Sequence, residues 1–203
     1  MTAHVLSWGL YPHCPQQVHS LDWRDQLLPS MSFLHNKHEN FLPFGLGRSY
    51  GDSCLVQSGQ VLQLNGMDKF ISADWSQGIL HAEAGVTLAQ ILSVAIPHGW
   101  FLPVTPGTRF VTLGGAIAND VHGKNHHRAG TFGRFVRSIE LCRSDGSVLQ
   151  LSATQHPELF CATVGGLGLT GVISRAELQL QRITGTDLQV CTERFGQLQE
   201  FFL

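Results

Sequence analysis

The chain is poor in charge. Asp, Glu, Lys and Arg make up 14% of its 203 residues, which suits a domain that buries surface against another group, another domain or a second subunit. The net charge is -2 and the Lys and Arg residues are scattered, so no field exists to grip a polyanion and nucleic acid is excluded as a partner. The five cysteines, Cys14, Cys54, Cys142, Cys161 and Cys191, contain no C-x-x-C pair and read as buried or free thiols in a reducing compartment. No apolar run approaches the roughly 18 residues of a membrane span, and Met1 to Tyr11 has neither a basic start nor a continuous apolar segment. A cytoplasmic protein without a transmembrane segment is expected. Low-complexity tracts and internal repeats are lacking too. With 43% hydrophobic residues, the chain can form one domain with a full core, or two small lobes.

What is present is a mixed order of elements. The first forty residues are weakly patterned, with a short helix expected around Trp23 to Leu28 and a polar run from His35 to Asn40. β-like segments at Val61 to Leu64, Phe70 to Ala73 and Ile79 to Glu83 suggest a small sheet. Thr87 can cap a helix while Gln90 reaches back, and Leu88, Ile91, Leu92, Ala95 and Ile96 share one face before Pro97 and Gly99 stop it. A second helix is expected from Pro157 to Val164, with Gly165 at its exit. From Val172 the pattern alternates as a strand, with Val172, Ala176, Leu178 and Leu180 on one face and Arg175, Glu177, Gln179 and Gln181 on the other.

Four segments carry the chemistry. In Pro43-Phe44-Gly45-Leu46-Gly47-Arg48-Ser49-Tyr50-Gly51-Asp52, glycines after a strand let backbone amides crowd inward, as a pyrophosphate cradle requires. A glycine-rich hairpin loop is the plain alternative. The segment from Pro106 to Asp120 removes side-chain bulk around a short helix, including Gly107, Thr112, Leu113, Gly114, Gly115 and Asn119. Close helix packing would select the same residues, but the polar content favours a wall against a flat ring or dinucleotide.

The third segment, Val121 to Gly130, packs His122, His126 and His127 with Lys124 and Arg128. His122 and His126 have the spacing of a helical metal pair, yet Gly123 argues against a helix and nothing nearby completes a ligand set, so no metal is expected. Either the loop is a solvated basic one, or Lys124 or His122 stabilises negative charge beside a reduced cofactor or anionic substrate. The fourth segment, Gly165 to Gly171, contains G-x-G-x-x-G. It follows a helix and precedes a strand, the reverse of the nicotinamide fingerprint, which leaves a cofactor-contacting turn as the expectation.

In this order the four segments resemble the FAD-binding domain of the vanillyl-alcohol-oxidase superfamily, the PCMH-type domain. Gly45 through Asp52, Pro106-Gly107-Thr108-Arg109, His122 through His127 and Ala162-Thr163-Val164-Gly165-Gly166 look like the decaprenylphosphoryl-ribose oxidase branch, from about Leu6 to Leu180. The resemblance implies an α+β fold of two lobes with FAD between them over residues 1–183. Residues 184–203 would then begin a cap domain that is largely absent. It also implies a pyrophosphate loop from Phe44 to Asp52 (Phe44, Gly45, Leu46, Gly47, Arg48, Ser49, Tyr50, Gly51, Asp52). The flavin and ribityl wall would comprise Gly107, Thr112, Leu113, Gly114, Gly115, Asn119, His122 and Ile173. Tyr50, His122 and Lys124 would line the substrate side.

Many members attach FAD through a histidine just before the serine of the first loop. Arg48 stands there in this chain, so non-covalent FAD is expected. The implied reaction moves a hydride from a sugar or polyprenyl-phosphosugar carbinol to FAD, with His122 and Lys124 as electrostatic support and no general base within the chain. A small-molecule or lipid-linked sugar substrate follows, with a reductase partner and peripheral membrane contact left to the missing part. A flavin-binding module without turnover and an aldonolactone or alditol oxidase remain the alternatives.

Overall fold

The computed structural model describes residues 5–37, 39–57 and 59–202. Strands β1 (Gln17–Ser20), β2 (Phe41–Phe44) and β3 (Gln60–Gln63) form a parallel sheet in the order β1-β3-β2. Pro43 is tolerated in β2 because that strand is an edge. Between β1 and β2 runs α1 (Leu27–Asn36), which buries Leu27, Met31 and Leu34 at helical spacing. They pack with Leu21, Leu62, Leu64 and Met67 in the core of a first lobe.

This corrects the expected helix at Trp23 to Leu28, and the polar run begins on the exposed end of α1. A 3-10 turn at Arg24–Gln26 leads into a longer helix that includes His35 and Asn36. Pro29 sits in its first turn, where a missing N–H costs nothing. His38, within the expected polar run, lies outside the described residues.

The second lobe is built on strands β4 (Phe70–Asp74), β5 (Ile79–Glu83), β7 (Val136–Cys142), β8 (Val148–Ser152) and β9 (Val172–Gln179), antiparallel in the order β4-β5-β9-β7-β8. The short pair β6 (Trp100–Phe101) and β10 (Gln181–Arg182) stands beside it. The three early β-like segments therefore do not share one sheet. After Leu64 the chain turns, Met67 N–H donating to the Leu64 carbonyl at 2.9 Å while Gly66 packs closely on Leu21, and β4 starts a different sheet.

On one face of the five-stranded sheet lie α2 (Leu88–Ala95), α3 (Leu113–Ala118) and α5 (Pro157–Thr163), sharing a core with Leu80, Ala82, Ile139, Leu151, Ala176 and Leu178. Each such leucine or isoleucine contributes about 1.5–3 kcal/mol by leaving water. The capping expected for α2 is present. Thr87 Oγ1 accepts from the Gln90 N–H at 3.2 Å, and Gln90 Oε1 accepts from the Thr87 N–H at 2.8 Å. α4 (His126–Ala129) is a single turn, and His122 precedes it.

The far ends of β7 and β9 leave this core. Cys142 and Val172 pack instead with Leu21, Leu27 and Leu62 of the first lobe, so two strands serve both cores. Residues 184–202 are mostly exposed and include the single turn α6 (Leu198–Phe201), around which Phe195, Phe201 and Phe202 meet edge to face. Leu203 lies outside the described residues.

Candidate FAD-binding cleft

A cleft of about 720 Å³ lies between the lobes. From the first lobe come Phe44 through Gly51, on the loop that follows β2. From the second come Pro106, Gly107, Thr108, Thr112, Gly114, Gly115, Asn119, His122 and Ile173. The chain thus brings together residues more than 120 positions apart. Three residues of the sequence reading do not line it. Asp52 lies just past the lining, Lys124 is exposed beyond it, and Leu113 is 1% exposed within the second core.

The two glycine-rich walls do different work. Among the described residues, the N–H groups of Leu46, Gly47, Arg48, Ser49 and Tyr50 reach no acceptor within the protein. A run of free donors in a half-buried loop on the cleft is what an anionic oxygen cluster needs. At the start of α3 the donors are already spent. Leu113 N–H binds the Val86 carbonyl at 2.7 Å, Gly114 N–H that of Ala84 at 2.8 Å, and Gly115 N–H the Thr112 hydroxyl at 3.1 Å. The backbone at the start of α3 can offer closeness but not N–H donors.

Close packing and the cleft both select the small residues. A Cβ on Gly45 would stand 2.5 Å from Thr112 Oγ1, the capping atom of α3, and one on Gly114 would stand 2.9 Å from the Ala84 Cβ. Gly47 has φ +62°, and its added Cβ would meet the Leu6 carbonyl oxygen at 2.4 Å. Gly51 and Gly107 differ, since nothing lies within 4 Å of where a Cβ would stand. At those two positions the missing side chain enlarges the cleft and relieves no contact.

Arg48 ties the walls together. Its Nε donates to the Phe110 carbonyl at 3.2 Å while its guanidinium lies 5.3 Å from the centre of the Trp8 ring. The turn after α5 closes the floor. Leu167 N–H donates to the Ala118 carbonyl at 2.8 Å, and Gly168, at φ +81°, leaves room for Pro43 of β2. The helix-then-strand order expected around the fourth segment is the observed order.

His122 is exposed on the cleft lining, its ring 5.6 Å from that of His126 in an edge-to-face arrangement. The turn that follows is anchored from below, with Asn125 Nδ2 donating to the Pro103 carbonyl at 3.0 Å. Among the described residues no group of three or more His, Cys, Asp or Glu is placed to hold a metal.

Sequence reasoning missed Trp8, Ser53, Cys54, Leu64 and Ala84 on the lining, and marked Val111, Ala118, Val121, Leu167, Gly168 and Gly171 only as parts of their segments. Leu167 and Gly168 belonged to a segment already marked as a turn, and their neighbours gave the signal. Trp8, Leu64 and Ala84 gave none, because each reaches the cleft through a tertiary contact. Burial pushes the Cys54 thiol above its ordinary value, partly offset by a hydrogen bond with Ser49.

Residues 15–152 match the family described as FAD binding domain. The chain belongs to it. FAD is accordingly its cofactor, and the donor-rich loop facing a wall without bulk fits such a group. Among curated relatives, the decaprenylphosphoryl-beta-D-ribose oxidase of Mycolicibacterium smegmatis is 49% identical over 137 residues, covering 67% of this chain and 30% of that protein. A D-lactate dehydrogenase of Archaeoglobus fulgidus is 30% identical over 141 residues, 67% of this chain and 31% of its own length. The human delta(24)-sterol reductase is 29% identical over 119 residues, 59% and 23% of the two chains. This chain thus spans less than a third of the length of each of these relatives.

Proposed function

We propose that this chain is the flavin-holding part of an oxidoreductase that oxidises a hydroxyl of a sugar or polyprenyl-phosphosugar, with FAD held non-covalently. The observation that carries the reading is the run of unengaged N–H donors from Leu46 to Tyr50, in one cleft with a wall whose small residues leave space at Gly107. Phe44, Gly45, Leu46, Gly47, Arg48, Ser49, Tyr50 and Gly51 hold the pyrophosphate. Gly107, Thr112, Gly114, Gly115, Asn119 and Ile173 admit the flat ring system and shield it from water. Leu113 supports the second wall from the core behind it, and Asp52 ends the loop just past the lining.

When bound, FAD supplies acceptance of a hydride from the substrate carbinol carbon. His122, exposed on the lining, gives electrostatic support on the substrate side, and Lys124 acts from just beyond it. Tyr50, 84% exposed at the cleft mouth, contacts the substrate. No residue of this chain is assigned as general base. The lipid-linked sugar reading rests on the similarity to the mycobacterial ribose oxidase over 67% of this chain. A cytoplasmic setting, peripheral membrane contact and a reductase as electron acceptor belong to the same proposal. Among the described residues no helix is long and apolar enough to cross a membrane.

The purified chain is expected to show flavin absorption bands near one FAD per protein, and acid precipitation should leave the flavin in the supernatant. A colourless protein that cannot be reconstituted with FAD would refute the cofactor site. Yellow pellets after acid would refute non-covalent binding alone.

A further inference from the structure

The N-terminal segment Leu6–Gly9 lies as a second layer on the donor loop. Trp8 N–H donates to the Ser49 carbonyl at 2.9 Å. A Cβ on Gly9 would stand 2.3 Å from the Tyr50 carbonyl oxygen, and one on Gly47 would stand 2.4 Å from that of Leu6, so the two stretches touch along their backbones. This contact occupies the Ser49 carbonyl while the N–H groups of Arg48, Ser49 and Tyr50 stay free. The Trp8 indole has a different environment. It is 57% exposed, lines the cleft, and holds the Arg48 guanidinium against one part of its ring.

A large exposed indole needs a reason in a cleft. Burying a tryptophan is among the largest apolar gains available to a chain, and a ring left open on a concave wall is available to a flat partner. Its backbone is fixed by the Ser49 bond and the close approach of Gly9, so little freedom is lost when something covers it. Arg48 further restrains it by linking it to the Phe110 carbonyl on the opposite wall.

We propose that the strap Leu6–Gly9 is a further wall of the FAD cleft and that Trp8 is a cofactor-binding residue, its indole covered by one of the flat ring systems of the dinucleotide. The strap has two effects: it holds the loop in its donor-presenting form, and it contributes an apolar contact of its own. The inference rests on the FAD reading above.

The test uses the full 203-residue chain stripped of flavin and titrated with FAD. Trp8→Ala is expected to weaken FAD binding about ten-fold and Trp8→Phe about three-fold or less, as an aromatic contact predicts. The melting temperature of each flavin-free variant should match that of the parent. In a nitrogen-15 spectrum, the indole N–H signal missing from Trp8→Phe identifies Trp8. That signal should shift on saturation with FAD, while that of Trp23, 60% exposed and off the cleft lining, stays in place. Unchanged affinity in Trp8→Ala, or a Trp8 signal that does not move, overturns the inference. If Trp8→Ala does not fold, Trp8→Phe and the indole signal decide alone. A parent chain that binds no FAD instead sinks the reading on which the inference stands.

Discussion

At the scale of single residues, the glycines of the cleft divide by what an added methyl group would meet. Gly45 faces the Thr112 hydroxyl at 2.5 Å, so Gly45→Ala pushes against the atom that caps α3. A lost cap and a displaced loop together cost about 1–3 kcal/mol. Gly107 has 4 Å of open space and an ordinary φ, so Gly107→Ala should leave the flavin-free protein within about 0.5 kcal/mol of the parent. Yet its methyl group intrudes on the cleft, and FAD affinity should fall about ten-fold. Thermal melts and FAD titrations of the two variants separate these effects. Equal FAD affinity for Gly107→Ala and the parent would show that position 107 does not face the cofactor. The contrast also bears on Leu113, which the resemblance placed at the flavin. Its side chain supports the second core, and only its neighbours Thr112, Gly114 and Gly115 reach the cleft.

At the scale of elements, the outer face of the five-stranded sheet is held by a polar network. Glu140 on β7 accepts from Ser174 Oγ at 2.7 Å, from Gln150 Nε2 of β8 at 2.8 Å and from Arg175 of β9. Burial alone would raise the Glu140 carboxyl, but the bonds from Ser174, Arg175 and Gln150 outweigh it and hold the group below its ordinary value of 4.5. A carboxyl depressed in the folded state adds stability that is fully present above the unfolded value and is lost as pH falls through the folded one. Glu140→Gln should therefore melt several degrees below the parent at pH 7, with the gap closing below about pH 4. A gap independent of pH would place the defect in packing. These strands also mark where the sequence was hard to read. α2, α5 and β9 were legible because Thr87, Pro157, Gly165 and the run from Val172 carry local signals. β7 was not. Its register shifts between Val136 and Ser138 and again between Glu140 and Leu141, so the buried residues Val136, Ile139, Leu141 and Cys142 follow no period of two. The donor loop was legible as glycine-rich, but its free N–H groups and the satisfied ones of α3 emerge only from tertiary partners such as Ala84 and Val86.

At the scale of the molecule, the two lobes share strands as well as a cleft. Val172, 1% exposed, and Cys142, 3% exposed, extend β9 and β7 out of the second core into the first. Two lobes wedged by the same strands should unfold together, and FAD, if held in the cleft that both lobes line as proposed, should tighten that coupling. Val172→Ala removes volume where the first-lobe core receives β9, at a cost of about 1–3 kcal/mol. The loss should appear equally in both lobes, although the substitution lies in one core. Urea unfolding followed by hydrogen exchange at β3 and at β7 is expected to give coincident midpoints in the parent, and a common downward shift in Val172→Ala. FAD at a hundred times its dissociation constant should then raise both midpoints together by about 2.7 kcal/mol of stability. Separate transitions, with FAD protecting only β3 or only β7, would mean that the shared strands do not couple the lobes and that the cofactor rests on one of them. Coincident transitions that both respond to FAD would instead make the cleft the joint at which binding and folding are linked.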